Sequence, residues 1–185
     1  PSISWISPLS KTLDDVSLTL APATSNSTGA FTYFSSNPQV ATISGRTVTL
    51  VGNGVTVLTA AQEESTAYNA GKAVTILIVG DPYKSPAQLT GLANVTKLVT
   101  DAAFTITAPS TQSAATIQYV LGDDRIASIS GNTITLKTNG TTKIYALQKE
   151  TATHQAGMTE ATLQVNLPPV PAIDYSDALN LRVGT

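Results

Sequence analysis

The chain of 185 residues contains no cysteine, one histidine and one tryptophan. Without cysteine, no disulfide can staple a small domain and no thiolate can serve as a nucleophile or metal ligand. A lone histidine has no second histidine with which to build a metal site or a proton relay. Charged residues make up only 12% of the chain, and the ten Lys and Arg residues are scattered, so nucleic-acid binding is not expected.

The sequence also lacks any long apolar segment of helical period, and therefore predicts neither helices nor membrane insertion. Its start, PSISWISPLSKTLDD, has neither the basic residues nor the apolar stretch of a secretory signal. Three explanations stay open: a signal was removed, the chain is a fragment, or the protein is made in the cytosol and used there or released by lysis. What is abundant is Thr, Ser, Val and Ala, with 12 Gly and 10 Pro, which is typical of short strands and turns.

An internal repeat organises the chain. Residues 33–79 realign on 119–165 at a constant spacing of 86 residues (119 − 33 = 86). A repeat of this length is a copied domain rather than a solenoid unit. Only the earlier segments Ala21-Pro22 and Ala108-Pro109 need a one-residue shift to align. We therefore expect an all-β protein with one module at residues 1–80, a second at 84–167, and a Pro-rich arm at 168–185.

Each copy predicts the same hairpin. Gly45 and Gly131 stand first of two central turn residues, the pattern of a type II′ turn. This register pairs Ile43 with Val48 and Ile129 with Ile134. Earlier strands are expected at about 3–6 and 16–21, with counterparts near 87–92 and 103–108.

Comparison of the copies predicts which face of each later strand points inward. The opposite parity would bury the charged residues Lys143 and Glu160, which is costly. The resulting inward positions are Thr56, Leu58, Ala60, Gln62, Thr75, Leu77 and Val79 in the first copy, and Thr142, Ile144, Ala146, Gln148, Ala161, Leu163 and Val165 in the second.

About seven strands in some 80 residues indicate an immunoglobulin-like β-sandwich without the disulfide. The stretch FTYFSSNPQVATISGRTVTLVGNGVTVLTAAQEESTAYNA resembles the bacterial immunoglobulin-like group 2 domain. The motifs that carry the resemblance are a Ser-Asn-x-x-Val-Ala-x-Ile-x-Gly turn and an Ala-x-Gln…Tyr-x-Ala loop. It covers most of residues 1–80 and is weaker over 84–167, where His154 replaces Tyr68. Such domains occur in phage virion proteins and bacterial surface proteins, so the resemblance implies a non-enzymatic role.

No catalytic, cofactor-binding or metal site is expected. His154 aligns with Tyr68 and is interpreted as a packing residue. The acidic pairs 14–15, 63–64 and 123–124 lack the regular spacing of a calcium loop, so we interpret them as solvated turns.

One apolar surface is predicted to bind a partner. Outward positions on neighbouring strands of the first module carry apolar residues, whereas most counterparts in the second are polar, as at Lys143 and Glu160. Contiguous exposed apolar area usually marks an interface. The alternatives are a register shift or cover by a neighbouring segment. We call this surface the apolar stripe: Phe34, Val55, Val57, Val74, Ile76 and Ile78.

The C-terminal arm is the second predicted contact. Three prolines between 168 and 171 impose an extended path, and the residues beyond them are more apolar than a free tail requires. The predicted contact residues there are Tyr175, Leu179, Leu181 and Val183.

Together these features predict a non-enzymatic structural or decoration protein on the surface of an assembled particle, a phage virion in the first instance. Its partners would be virion or cell-surface subunits, or further copies of itself. The alternative is a fragment of a bacterial surface adhesin or secreted enzyme, at the cell surface or released. Weak glycan binding is a third interpretation, against which stands Trp5 as the only tryptophan.

Overall fold

A computed structural model describes residues 1–170, which fold almost entirely into β-strands, with 51% strand and 2% helix. The architecture is two immunoglobulin-like β-sandwiches in tandem, as predicted. The first contains β1 Ile3–Ser4, β2 Leu9–Thr12, β3 Ser17–Thr19, β4 Thr24–Ser25, β5 Phe31–Ser35, β6 Ala41–Ser44, β7 Thr47–Leu50, β8 Gly54–Gln62 and β9 Gly71–Gly80, with one 3-10 turn at Leu13–Asp15. The second contains β10 Leu89–Thr90, β11 Val95–Leu98, β12 Phe104–Thr105, β13 Ser110–Thr111, β14 Ile117–Leu121, β15 Ala127–Ser130, β16 Thr133–Leu136, β17 Gly140–Gln148 and β18 Gly157–Asn166.

Each sandwich packs a four-stranded sheet against a three-stranded one. In the first, the order β2-β9-β8-β5 faces β3-β7-β6, and a β1-β4 pair lies beside them; the second repeats this as β11-β18-β17-β14, β12-β16-β15 and β10-β13. Within residues 1–170, strands of 1–80 pair only with one another, as do those of 84–167. The boundaries 1–80, 84–167 and 168–185 remain our proposed division of the chain.

The two sandwiches correspond at an offset of 86 from the first strand onward. Ile3 pairs with Ser25, and Leu89 pairs with Thr111, each residue 86 positions after its counterpart. The one-residue shift expected near Ala21 and Ala108 is therefore wrong. Proline simply occupies different positions, 22 and 109, in two loops of equal length.

The early strands are shorter than expected, and two in each copy were not predicted, β2 and β4 in the first and β11 and β13 in the second. β2 lies parallel to β9, with Leu9 opposite Leu77, and β11 lies parallel to β18 in the same way. Each has only four residues with little alternation, so neither produces a periodic signal.

The hairpin register is confirmed. Ile43 pairs with Val48 and Ile129 with Ile134, and Gly45 and Gly131 hold φ of 57° and 58°, as the first central residue of a II′ turn requires.

The inward parity is also confirmed. Leu58, Leu77, Ile144 and Leu163 are fully buried, and the buried Gln62 and Gln148 satisfy their amides on nearby loops. No helix in the described part of the chain is long and apolar enough to span a bilayer.

Candidate functional site

The apolar stripe lies where the two sandwiches meet. Ile76 is fully buried in one cluster with Tyr145 and Leu147, which belong to the outer face of β17 in the second module. Val55, Val57, Val74 and Ile78 pack against this cluster, as do Val120 and Met158. The larger sheets of the two modules therefore face each other through their outer surfaces.

This cover corrects the view of the stripe as an open surface. The exterior of the second module is polar at Lys143 and Glu160 but apolar further along β17, and that part covers the stripe. Of the six stripe residues, only Phe34 is an exposed large side chain, at 49%. Binding of a separate chain to the other five remains a proposal that requires the modules to part.

The sequence contained a signal for the covering residues. Tyr145 and Leu147 have the same outward parity on β17 as Lys143, and Met158 has it on β18. The two copies differ most clearly where the second has polar residues on this face, at Lys143 and Glu160. The apolar residues further along the same face were overlooked. Extending the outward set two residues along β17 would have found a complementary surface.

Polar contacts surround the apolar interface. Lys72 Nζ lies 2.8 Å from a carboxylate oxygen of Asp124, and the Arg125 guanidinium donates to the carbonyl of Pro1. At the opposite end, the Gln155 side-chain amide donates to the carbonyl of Asp81 at 2.6 Å. An apolar centre with a polar rim is the usual anatomy of a specific interface.

The linker is held by the second module. Gln155 Nε2 also donates to the Lys84 carbonyl, and its backbone N–H donates to the Ser85 carbonyl. A Cβ placed on Gly80 would lie 2.9 Å from Gln155 Oε1, so a side chain there would force the amide to move. The turn between the modules is therefore shaped to bring them side by side.

A cleft of about 520 Å³ opens beside this interface. Residues 2, 3, 5–8, 73 and 74 of the first module form one wall, and the outer face of β17 and β18 with the loop at 122–125 forms the other. On that face Lys143 Nζ donates to Glu160 Oε1 at 2.8 Å, and Tyr145 stands directly opposite Glu160 across the strands. Burial, and after it the charge of Glu160, raises the pKa of Tyr145 to about 12. The phenol is therefore neutral at every physiological pH.

A second, smaller cleft of about 380 Å³ lies on another side of the interface, between Asn37 and Gln39 of the first module and Gln118 and Lys149 of the second.

Asp123 and Arg125 form the shorter of the two ion pairs that line the cleft, with Nη2 and Oδ2 2.6 Å apart. Burial alone would raise the pKa of Asp123, but hydrogen bonds from the Arg125 side chain and backbone, with the guanidinium charge, bring that pKa below its usual value. The same side-chain hydrogen bonds raise the pKa of Arg125. This pair positions the guanidinium that contacts Pro1.

The exposed apolar side chains are unevenly distributed. Within residues 1–170, the large exposed ones lie in the first module, in the linker or after β18, and none lies between 84 and 166. They are Leu13, Val16, Phe34, Val51 and Tyr68, then Tyr83, then Leu167 and Val170.

Val16 and Val51 are close along the backbone, because the N–H of Leu50, the residue before Val51, donates to the Val16 carbonyl. Val16 is 64% exposed and holds φ of 57°, which is unusual for a β-branched residue. The second module has Ala102 and Lys137 at the equivalent positions. Sequence reasoning missed these two exposed valines, although the comparison of the copies contained the difference.

The remaining candidates lie in ordinary surroundings. His154 Nδ1 lies 3.0 Å from the Thr153 hydroxyl, and its backbone forms a bridge with Ser85. Asp15 accepts from the Thr12 N–H in the 3-10 turn. In the described residues, no three His, Asp or Glu side chains are placed to hold a metal ion. The predicted arm residues Tyr175, Leu179, Leu181 and Val183 lie outside the described residues.

No known protein family matches this sequence, and no curated protein matches it. Solved structures with similarity include human protocadherin-24 EC1-2, at 11% identity and a TM-score of 0.32 over 82% of this chain and 88% of that one. Drosophila N-cadherin EC1-3 gives 13% and 0.34 over 82% and 60%, and mouse cadherin-23 EC22-24 gives 11% and 0.31 over 90% and 64%. The chain thus spans less than two thirds of the last two. At these values the likeness supports no inference about function.

Proposed function

We propose that the protein is a non-enzymatic structural or decoration component of an assembled particle, a phage virion in the first instance. It attaches through the exposed apolar side chains of its first module and through the arm of residues 168–185, and the second module projects outward.

One observation carries this proposal: within residues 1–170, the large exposed apolar side chains lie in the first module, in the linker and after β18, where they are Leu167 and Val170. Exposure of Phe34 and Val51 to water does not stabilise the protein, whereas their burial against a partner would stabilise the attached state. Residues 84–166 of the second module expose no large apolar side chain, which suits a part that faces solvent.

The side-by-side packing of the modules supports the same role. An apolar cluster centred on Ile76 and a set of polar contacts hold them in one relative position. A component with fixed geometry can be placed repeatedly on a regular lattice, whereas flexibly joined modules would lose entropy at each site.

The test is incorporation into particles. The double variant Phe34→Lys/Val51→Lys changes two exposed positions, and at the second it introduces the residue type that the second module has at Lys137. We expect it to fold normally but to be depleted from purified particles at least tenfold by quantitative mass spectrometry. The matched control is Thr135→Lys, an exposed position on the second module. Normal incorporation of the folded double variant would refute attachment through this surface.

The second candidate is a fragment of a bacterial cell-surface or secreted protein. It is favoured by the Ser-Asn-x-x-Val-Ala turn and the Ala-x-Gln loop, since domains with these motifs also occur in such proteins. A longer reading frame with a signal peptide would support it, and neighbouring capsid and tail genes would support the first proposal.

A further inference from the structure

The cleft beside the module interface has the dimensions of a ligand site. Its volume of about 520 Å³ lies within the range of roughly 300 to 1,000 Å³ found for small-molecule sites. Both modules supply its walls, so it exists only in the side-by-side arrangement.

Tyr145 gives the cleft a fixed polar group. Its side chain is only 6% exposed, and its ring belongs to the apolar cluster with Ile76. In the described part of the chain, the Tyr145 hydroxyl has no protein hydrogen-bond partner and is not one of the fully buried unpaired atoms, so it is open to the cleft that Tyr145 lines. A ligand hydroxyl could occupy this position as acceptor or donor.

The charged side chains that line the cleft form two ion pairs. Lys143 is paired with Glu160, and Arg125 is paired with Asp123. Each pair is neutral as a whole, and the α-amino group of Pro1 lies close enough to Asp123 for its charge to help lower the pKa of that carboxyl. Lys143 retains two N–H donors beyond its bond to Glu160, and the second carboxylate oxygen of Glu160 remains an acceptor.

The rest of the lining mixes hydroxyl-bearing and aliphatic side chains and includes one tryptophan. Thr141 and Thr162 flank the charged pair, and residues 2–8 face them. The indole N–H of Trp5 is used internally, because it donates to the Ala21 carbonyl at 3.0 Å. The Trp5 ring packs against the core of the first module, with its centroid 5.5 Å from that of Tyr33, and the residue also borders the cleft. Closely spaced donors and acceptors beside an aromatic ring match a ligand that has many hydroxyl groups and an apolar ring face.

We propose that this cleft binds a neutral oligosaccharide, with sugar hydroxyls on Tyr145, Lys143 and Glu160 and a sugar ring against Trp5. This role goes beyond attachment to a particle and does not depend on it, because the packing of the two modules forms the cleft whether or not a particle is bound.

The experiment titrates the full chain with cellohexaose, maltohexaose, xylohexaose, mannohexaose and chitohexaose, and with hexagalacturonate as an acidic probe. Binding is followed by calorimetry and by NMR amide shifts. We expect at least one neutral probe to bind and to shift Thr141 and Thr162. Tyr145→Phe keeps the ring, and Glu160→Gln keeps the shape; each should weaken binding about five- to tenfold, as expected for one missing hydrogen bond.

Tyr83→Phe is the matched control, because Tyr83 is 96% exposed in the linker and does not line the cleft. It should bind like the unaltered chain. Absence of binding by all neutral probes would overturn the proposal, as would binding of hexagalacturonate alone. Binding that survives both Tyr145→Phe and Glu160→Gln would equally overturn it, since the ligand would then lie elsewhere. Thermal unfolding of each variant identifies any loss that is due to misfolding.

Discussion

Lys72 and Asp124 form an ion pair of 2.8 Å across the boundary between the two modules. Both side chains are substantially exposed, so the pair contributes little to stability. Its value is geometric, because one residue belongs to the first sandwich and the other to the second. It reports whether the modules lie side by side.

Carbodiimide treatment should join these two residues. A zero-length reagent forms an amide only between an amine and a carboxylate already in contact, so we expect a Lys72–Asp124 cross-link within the monomer, identified by mass spectrometry. Lys11 and Asp15, 3.3 Å apart within the first module, are the internal control. A Lys11–Asp15 product without the Lys72–Asp124 product, or the latter only in dimers, would contradict the intramolecular arrangement.

Lysine in the apolar stripe should separate the modules. Val57→Lys/Ile76→Lys puts two charges into a cluster where Ile76 is fully buried, and burial of apolar surface there stabilises the pairing by about 25 cal/mol per Å². From sequence alone, the expected result is weaker attachment or weaker self-association. The structure adds a second expectation: the two modules separate, and small-angle scattering shows a larger radius of gyration. Thr42→Lys/Thr49→Lys, at exposed positions on the other sheet, is the control. A compact profile from the stripe variant would mean that other interactions hold the modules.

Acid should remove the contribution of Asp123. Its folded pKa is depressed, so the stabilisation is fully present above the unfolded pKa, about 3.9, and is lost as the pH falls through the lower folded value. Asp123→Asn should therefore lower the urea midpoint at pH 7 and have a smaller effect near pH 3. Asp14→Asn, in the exposed 3-10 turn, controls for general charge effects. An equal loss at both pH values would exclude the ionised carboxylate as the cause.

Core truncations should be costly in both sandwiches. Leu58 and Ile144 occupy equivalent, fully buried positions, so Leu58→Ala and Ile144→Ala should each lower the free energy of unfolding by about 2 to 5 kcal/mol. Thr135→Ala, at an exposed position, should change it by less than about 0.5 kcal/mol. Chemical denaturation measures both. A core variant as stable as Thr135→Ala would disprove the assigned parity.

Removal of the arm separates anchoring from packing. A chain that ends at Leu167 should stay folded and monomeric but be lost from particles, because the prolines at 168, 169 and 171 lower the entropy that docking costs. The comparison uses thermal unfolding and particle incorporation together. A lowered melting temperature with normal incorporation would mean that the arm folds onto its own second module instead.

Much of the fold could be predicted because the repeat provides two readings of each strand. The hairpin at Gly45 follows from turn chemistry, and the inward set follows from the cost of burying Lys143. Both depend on local or cross-strand rules. β2 and β11 were not predicted because they are stabilised by pairing with strands far along the chain, opposite Leu77 and Leu163, and have no clear alternation of apolar and polar residues.

The site was only half predictable for a related reason. The stripe could be found from its parity, but its cover depends on how two modules pack, which neither module's pattern contains. The cleft with Tyr145 and Glu160 is a consequence of that packing. Matching the stripe against Leu147 and Met158 could have predicted the interface from sequence, but not the cleft beside it.

The order in which the two faces are made has a consequence during synthesis. The stripe is complete when β9 ends at Gly80, whereas its cover is complete only when β18 ends at Asn166, 86 residues later (166 − 80 = 86). At about 5 to 20 residues per second, the ribosome takes roughly 4 to 17 seconds to make that difference. For this interval a folded first sandwich presents Val55, Val57 and Ile76 bare to chaperones and to neighbouring nascent chains on the same polysome.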